Sequence, residues 1–259
     1  MKKLLLVILA LSMVNWPLYG QADDSTSNTT FYQRFSAQGG VGSYAIRDEF
    51  ISDETYSGTM PVYLIEWIDE TPSRASEITF EYRAGSEIKD YNVSASITEF
   101  TLGFDFLYPI GKFSILSQEI STYLGPSPDL FFHFRSQNIA NGGSALTRAY
   151  SLAMLLSAGM TFKCTCPINN SFLADASFGT NVFSFGGRFV NPNNSDASFF
   201  KLLTLFSGLR FKSDIGLQYA LSSDFFVRLA YRFELTSINA WDYFISGSDM
   251  GVLSLNYGF

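Results

Sequence analysis

Residues 209–235 read LRFKSDIGLQYALSSDFFVRLAYRFEL, two runs of alternating side chains on either side of a Ser-Ser-Asp turn. The first run begins earlier. From 203 to 221 the odd positions are Leu203, Leu205, Ser207, Leu209, Phe211, Ser213, Ile215, Leu217, Tyr219 and Leu221, while most even positions are small, polar or charged. A period of two marks a strand with two different faces. After the turn, Phe225, Val227, Leu229, Tyr231, Phe233 and Leu235 alternate with Arg228, Ala230, Arg232 and Glu234. Folding the runs about Ser223 sets Leu217 against Leu229, Ile215 against Tyr231, Asp214 against Arg232 and Lys212 against Glu234. Opposite charges then meet on one face and apolar side chains on the other, as a real hairpin requires.

The same stripe recurs along the chain. Tyr63, Ile65 and Trp67 share a face, as do Ile78, Phe80 and Tyr82, then Phe100, Leu102, Phe104 and Phe106. Tyr150, Leu152, Met154, Leu156, Ala158, Met160 and Phe162 form a longer stripe, and Phe172, Ala174, Ala176 and Phe178 a shorter one. A soluble sandwich also alternates, but its polar face looks at water and is rich in Lys, Glu and Thr. Here the second face carries Gly, Ala and Ser with scattered charges of both signs, which suits the crowded lumen of a narrow barrel. With 47% apolar and 17% aromatic residues, the mature chain still has no apolar run long enough for a spanning helix.

The sequence therefore predicts an all-β fold: a single transmembrane, antiparallel, up-and-down β-barrel. Ten strands fit, at 33–47, 60–69, 75–86, 92–107, 112–124, 147–163, 171–186, 203–221, 225–237 and 249–259, with eight or twelve left open by the irregular stretch 112–135. "YPIG" (108–111), "CPINN" and "SSD" are the expected short turns. Longer polar connections are expected near 48–60, 136–146, 188–198 and 238–248, the alternation of short periplasmic and long external loops seen in such barrels. An even count leaves both termini in the periplasm.

The ends agree. Lys2 and Lys3 precede the apolar run LLLVILALSMV, and Gly20-Gln21-Ala22 follows. This is the pattern of a secretory signal peptide, so 1–22 is expected to be removed, 23–32 to be a flexible N-terminal segment, and 33–259 to form the barrel. No cysteine near that site offers a lipid anchor. The formal charge is −7, and removing 1–22 takes away two lysines and no acid, so the mature chain is more acidic still. Nucleic acid is thus not an expected partner.

The chain closes on LSLNYGF, with Leu253, Leu255, Tyr257 and Phe259 on alternate positions. With the signal peptide and the two-faced strands, this ending resembles the Gram-negative outer-membrane β-barrel proteins, whose last strand typically ends in Phe with apolar residues at alternate positions before it. The resemblance implies a place in the outer membrane, reached through the periplasm, with outer-membrane lipids and lipopolysaccharide as surroundings. It also implies that Leu253, Leu255, Tyr257 and Phe259 are the signal read by the barrel assembly machinery. Within the lumen the parity of the strands places Glu77, Glu81, Arg83, Glu99, Asp105, Asp175, Arg210, Lys212, Asp214, Arg228, Arg232 and Glu234. Barrels of about eight strands are just filled by side chains while wide channels need about sixteen, so at ten a largely plugged interior is expected. The functional expectation is a structural, adhesive or narrow-channel role rather than an open pore.

Chemistry is sparse. Some outer-membrane barrels are hydrolases, the omptin-like proteases using acids with a histidine and the phospholipases a His-x-Ser unit. The one histidine here, His133, is three residues from Ser136, and side chains an odd number apart on a strand point to opposite faces. A loop or interfacial histidine is the expectation, with an outer-membrane hydrolase as the alternative function. Cys164 and Cys166 lie two apart, near the limit of disulfide reach, and carry no expected catalytic role. Neither a metal nor a cofactor is called for.

Overall fold

The structure, a computed structural model, describes residues 32–49, 52–71, 73–90, 93–115, 118–140, 146–190, 200–241 and 243–259. The expected signal peptide and the segment that follows it, up to residue 31, lie outside them. The strands are β1 (Tyr32–Asp48), β2 (Ser52–Thr71), β3 (Arg74–Asp90), β4 (Val93–Ile115), β5 (Gln118–Ala140), β6 (Leu146–Pro167), β7 (Phe172–Val190), β8 (Lys201–Thr204), β9 (Gly208–Ala220), β10 (Phe225–Ile238) and β11 (Phe244–Gly258). Each pairs antiparallel with its chain neighbours, except that β8 and β9 both pair with β7 and not with each other, and β11 returns to β1 over the full length from Arg34↔Gly258 to Asp48↔Phe244. Because β8 and β9 are successive pieces of one stave alongside β7, the ring is a closed, up-and-down barrel of ten staves.

The staves are steeply tilted. Pairing taken round the ring from Asp175 runs through Gly216, Ala230, Val252, Gly40, Val62, Arg83, Glu99, His133 and Ala153, and comes back to β7 at Arg188, far above its start. This stagger is what closing a sheet demands. It also brings side chains from widely separated strands to one height.

The hairpin inferred at Ser223 forms in the expected register, with Leu217↔Leu229, Ile215↔Tyr231, Asp214↔Arg232 and Lys212↔Glu234. Along β11, Leu253, Leu255, Tyr257 and Phe259 are exposed on the outside while Ser254 and Asn256 are buried inside. Phe259 is tied to β1 by reciprocal backbone hydrogen bonds with Gln33, at 3.0 and 3.3 Å, and its ring meets Trp67 edge-on at 5.5 Å.

Three expectations need correction. "YPIG" is not a turn: β4 continues through it to Ile115, which pairs with Gln118. Ile110 is an extra residue between the pairs Pro109↔Tyr123 and Gly111↔Thr122, and Thr122 Oγ1 donates to the Gly111 carbonyl at 2.8 Å. Proline is tolerated here because β4 has lost its other neighbour after Leu107, leaving an open edge. The proposed strand 112–124 is thus the end of β4 and the start of β5. With the reversal there, Glu119 bonds Lys112 at 2.7 Å, which holds the Lys112 ammonium above its ordinary pKa.

Second, 203–221 is not one continuous strand. The stave breaks at 205–207, so Leu203 is buried inside and Phe206 is 88% exposed, against the expectation that Leu203, Leu205 and Ser207 share the outer face. The exposed backbone at the break finds other partners. Asn181 Nδ2 donates to the Gly208 carbonyl and its Oδ1 accepts from the Arg210 amide, while Asn239 Nδ2 donates to the Phe206 carbonyl.

Third, the connection expected over 48–60 is mostly strand, since β1 runs to Asp48 and β2 starts at Ser52; likewise β11 begins at Phe244 within the expected loop 238–248. The loop expected near 136–146 is likewise more than half strand, since β5 runs to Ala140 and β6 starts at Leu146, while the one near 188–198 falls largely outside the described residues.

Candidate functional site

The barrel interior is built in two storeys. The lower one, on the side of the chain termini, is charged. Arg228 joins Asp175, at 2.9 Å through Nε, and Asp214. Asp214 also accepts from Arg232 Nε at 3.0 Å, and Arg232 Nη1 reaches Glu81 at 3.1 Å. Glu81 pairs with Arg83, which holds Glu234 at 2.5 Å and approaches Glu99 at 3.7 Å. The steps connect seven acidic and basic side chains from Asp175 to Glu234 in one continuous band. Beside it Asp129 bridges Arg210 at 2.5 Å and Lys212 at 3.3 Å, and Lys163 pairs with Glu77. Gly216 makes room for this packing, since a Cβ there would lie 2.5 Å from the Arg228 guanidinium.

The residues inferred from strand parity all turn inward, and Asp214 meets Arg232 across the strands as expected, but other partners differ from simple cross-strand pairs. Lys212 and Glu234 are opposed in register, yet Lys212 bonds Asp129 and Glu234 bonds Arg83. Contacts across a narrow lumen compete with contacts along its wall, and long side chains choose the shorter path. Asp105 stands apart from the arginine band and accepts from Thr161 Oγ1 at 3.2 Å. Small cavities lie among these groups, two of them of about 110 and about 80 Å³ sharing Glu66, Glu77, Asp214 and Arg232 as walls. The lower one opens past Arg34, Glu70 and Tyr123.

The upper storey is apolar. Tyr44, Ile46, Tyr56, Met60, Ala95, Ile97, Phe131, Leu155, Leu203, Ile238 and Phe244 form one buried cluster, with Ala240 and Trp241 packed against it. Several polar groups enter it, most with at least one partner. Tyr44 Oη donates to Glu99 Oε1 at 2.7 Å. His133 Nδ1 lies 2.9 Å from the same oxygen. Near the rim Asp48 pairs with Arg188 and accepts from Ser151 at 2.9 Å, and Arg135 lies over the Tyr56 ring at 4.3 Å.

His133 is therefore neither in a loop nor at an interface. Its side chain is fully buried in the lumen, 5.0 Å from the Phe244 ring centroid, and Nε2 has no hydrogen-bond partner. No bulge separates it from Ser136 along β5, so the two point to opposite faces. The Glu99–His133 pair has the geometry to orient an imidazole. It has no solvent access and no hydroxyl on Nε2 to activate, and geometry is the first requirement of a general base. Among the described residues no three His, Cys, Asp or Glu side chains converge as metal ligands. Cys164 and Cys166 are free and half-buried on the outer face of β6.

Several lumen residues carried no usable signal. Arg188 sits above a bulge at Val182, between the pairs Ala158↔Phe183 and Gly159↔Asn181, which reverses the parity of β7. Asp129 follows Pro126 and Pro128, where the β4–β5 ladder is interrupted because proline lacks a donor. Lys163 was findable, since it lies on the inward parity of the long β6 stripe.

A closed, up-and-down ring of antiparallel strands with a greasy outer face is the architecture of outer-membrane β-barrels. Two of the solved structures that share it illustrate the likeness. The chain resembles the outer membrane protease OmpT from Escherichia coli, with TM-score 0.53 and 7% identity over 92% of this chain and 99% of that one. It resembles the translocator domain of the autotransporter NalP from Neisseria meningitidis, with TM-score 0.54 and 10% identity over 89% of each. No protein-family model and no curated protein matches the sequence.

Proposed function

We propose that the protein is an integral outer-membrane β-barrel, exported through the periplasm, that acts through its surfaces in a structural or adhesive role rather than by conducting solutes. The observation that carries this is the doubly filled lumen: ion pairs span its lower half and the apolar cluster occupies its upper half. The two polar cavities amount to space for a few waters, and the apolar cluster stands between them and the far rim. Lipids and lipopolysaccharide would surround the outer stripe, and the terminal strand with Leu253, Leu255, Tyr257 and Phe259 would be read during assembly. The acidic composition supports no role in binding nucleic acid.

Purified protein added to planar bilayers should give no discrete conductance steps; regular steps at moderate voltage would replace this reading with a narrow channel. Membrane insertion is checked separately by heat-modifiable gel migration and by fractionation with the outer membrane. A hydrolase is disfavoured by the burial of His133. Activity toward lipid or peptide that disappears in His133→Ala, in a variant that still shows heat-modifiable migration, would reverse that judgement.

A further inference from the structure

The outward apolar stripe is not the same height all round the barrel. On β1 it ends at Val41, followed outward by Ser43; on β2 at Pro61, followed by Thr59, Ser57 and Thr55; on β11 at Leu253, followed by Gly251 and Asp249. On β6 it runs without a polar residue from Phe162 to Tyr150, and on β7 it continues past Phe183 to Phe185 and Phe189. At a tilt of about 40° each residue adds roughly 2.5 Å of height. Val41, Pro61 and Leu253 then lie roughly 15–25 Å above the terminal rim, matching the ~25 Å apolar band of such barrels. Tyr150 and Phe189 lie roughly 40 Å above it by the same measure.

The tall side is densely aromatic. Phe200 stacks on Phe185 at 5.3 Å and meets Phe189 edge-on at 5.7 Å. Leu202 is 71% exposed, and Phe134, Phe185, Phe189 and Phe206 are also exposed. Apolar patches above a few hundred Å² on a protein surface mark contact with a partner or a membrane. This one is continuous with the band below it, and no charged outward side chain interrupts Leu156, Met154 and Leu152 on β6 or Phe183 and Phe185 on β7. Continuity with the lipid-facing band identifies the occupant.

We infer that the upper β5–β8 face is seated in the acyl chains of the outer leaflet, so the barrel stands inclined, with the β1, β2 and β11 rim raised into water and the opposite rim lowered into lipid. The inference rests on the membrane reading above. It makes the β1–β2–β11 edge, with Ser43 bonded to Asp249 at 2.6 Å, the surface offered to the exterior.

Single cysteines in a Cys164→Ser, Cys166→Ser background, carrying a nitroxide label, would test it in phospholipid vesicles. Labels at Leu229→Cys and Leu255→Cys report the band itself; labels at Met154→Cys, Phe189→Cys and Leu202→Cys report the tall side, and Thr59→Cys and Asp249→Cys the opposite rim. The expected result is collision with oxygen favoured over a water-soluble nickel chelate at 229, 255, 154, 189 and 202, and the reverse at 59 and 249. Chelate access at 154, 189 and 202 with lipid contact at 229 and 255 would overturn the inclined seating and leave the membrane reading standing. Chelate access at 229 and 255 as well would sink both. Exclusion of both reagents at 189 and 202, with crosslinked dimers, would assign the patch to a second copy instead. Polarised infrared spectra of the unlabelled protein in oriented bilayers give an independent readout, and an upright barrel axis there would also overturn the inference.

Discussion

The lower and upper halves of the lumen fill the same kind of space by opposite means. Below, arginines and carboxylates from facing strands neutralise one another through Asp175, Arg228, Asp214, Arg232, Glu81, Arg83 and Glu234. Above, Leu155, Phe244 and their neighbours pack like the core of a soluble domain, with a few polar groups held in it. A charged lumen is held by partners, and losing one leaves the others buried and unpaired. An apolar lumen is held by volume, and losing atoms leaves a hole. The two halves should therefore fail in different ways.

The largest effect is expected at Arg83, which meets Glu81, Glu234 and Glu99. Arg83→Met should lower stability by about 3–5 kcal/mol, read from the urea midpoint of heat-modifiable migration. Adding Glu81→Gln and Glu234→Gln should restore much of the loss, because the deficit lies in the stranded carboxylates. A triple variant no better than the single one would break the contrast. In the apolar half, Leu155→Ala should cost about 2–5 kcal/mol, and no change of a charged neighbour should rescue it. Tyr44→Phe removes one hydrogen bond to the Glu99 carboxylate and should cost about 1.5–3 kcal/mol in the same assay. The smallest effect is expected outside both halves, at the exposed Lys112–Glu119 pair. Lys112→Ala should leave the midpoint unchanged within error, in low and high salt alike, since exposed pairs contribute little.

The same contrast explains which parts could be read from the sequence. Alternation is clear where the inner face is charged or small, as in 209–235, and there the register came out residue for residue. In the apolar storey both faces are greasy: FFHF at 131–134 and AMLL at 153–156 carry no period of two, so the cluster went unseen and His133 was placed in a loop or at an interface. Leu203 misled for a different reason. Its parity is set by the break at 205–207, whose one turn signal, Ser207-Gly208, is masked by the alternation on both sides of it. "YPIG" has turn chemistry, but the open edge of β4 beyond Leu107 absorbs a proline and an extra residue without reversing the chain.

Val182 carries a consequence for how this chain tolerates changes of length. The extra residue exchanges inside for outside on the upper part of β7, so Arg188 reaches Asp48 while Phe183, Phe185 and Phe189 face outward. Deleting Val182 would leave a regular ladder, with Asn181 and Phe183 still opposite Gly159 and Ala158 and Arg188 still inside, whereas adding one residue between Val182 and Arg188 would exchange the faces, turning a guanidinium outward and phenyl rings inward. Substitutions there are judged one side chain at a time, but a single-codon insertion is judged on the whole segment at once. The upper half of β7 is therefore expected to accept loss of its one extra residue and to reject the gain of a second, however conservative the residue involved.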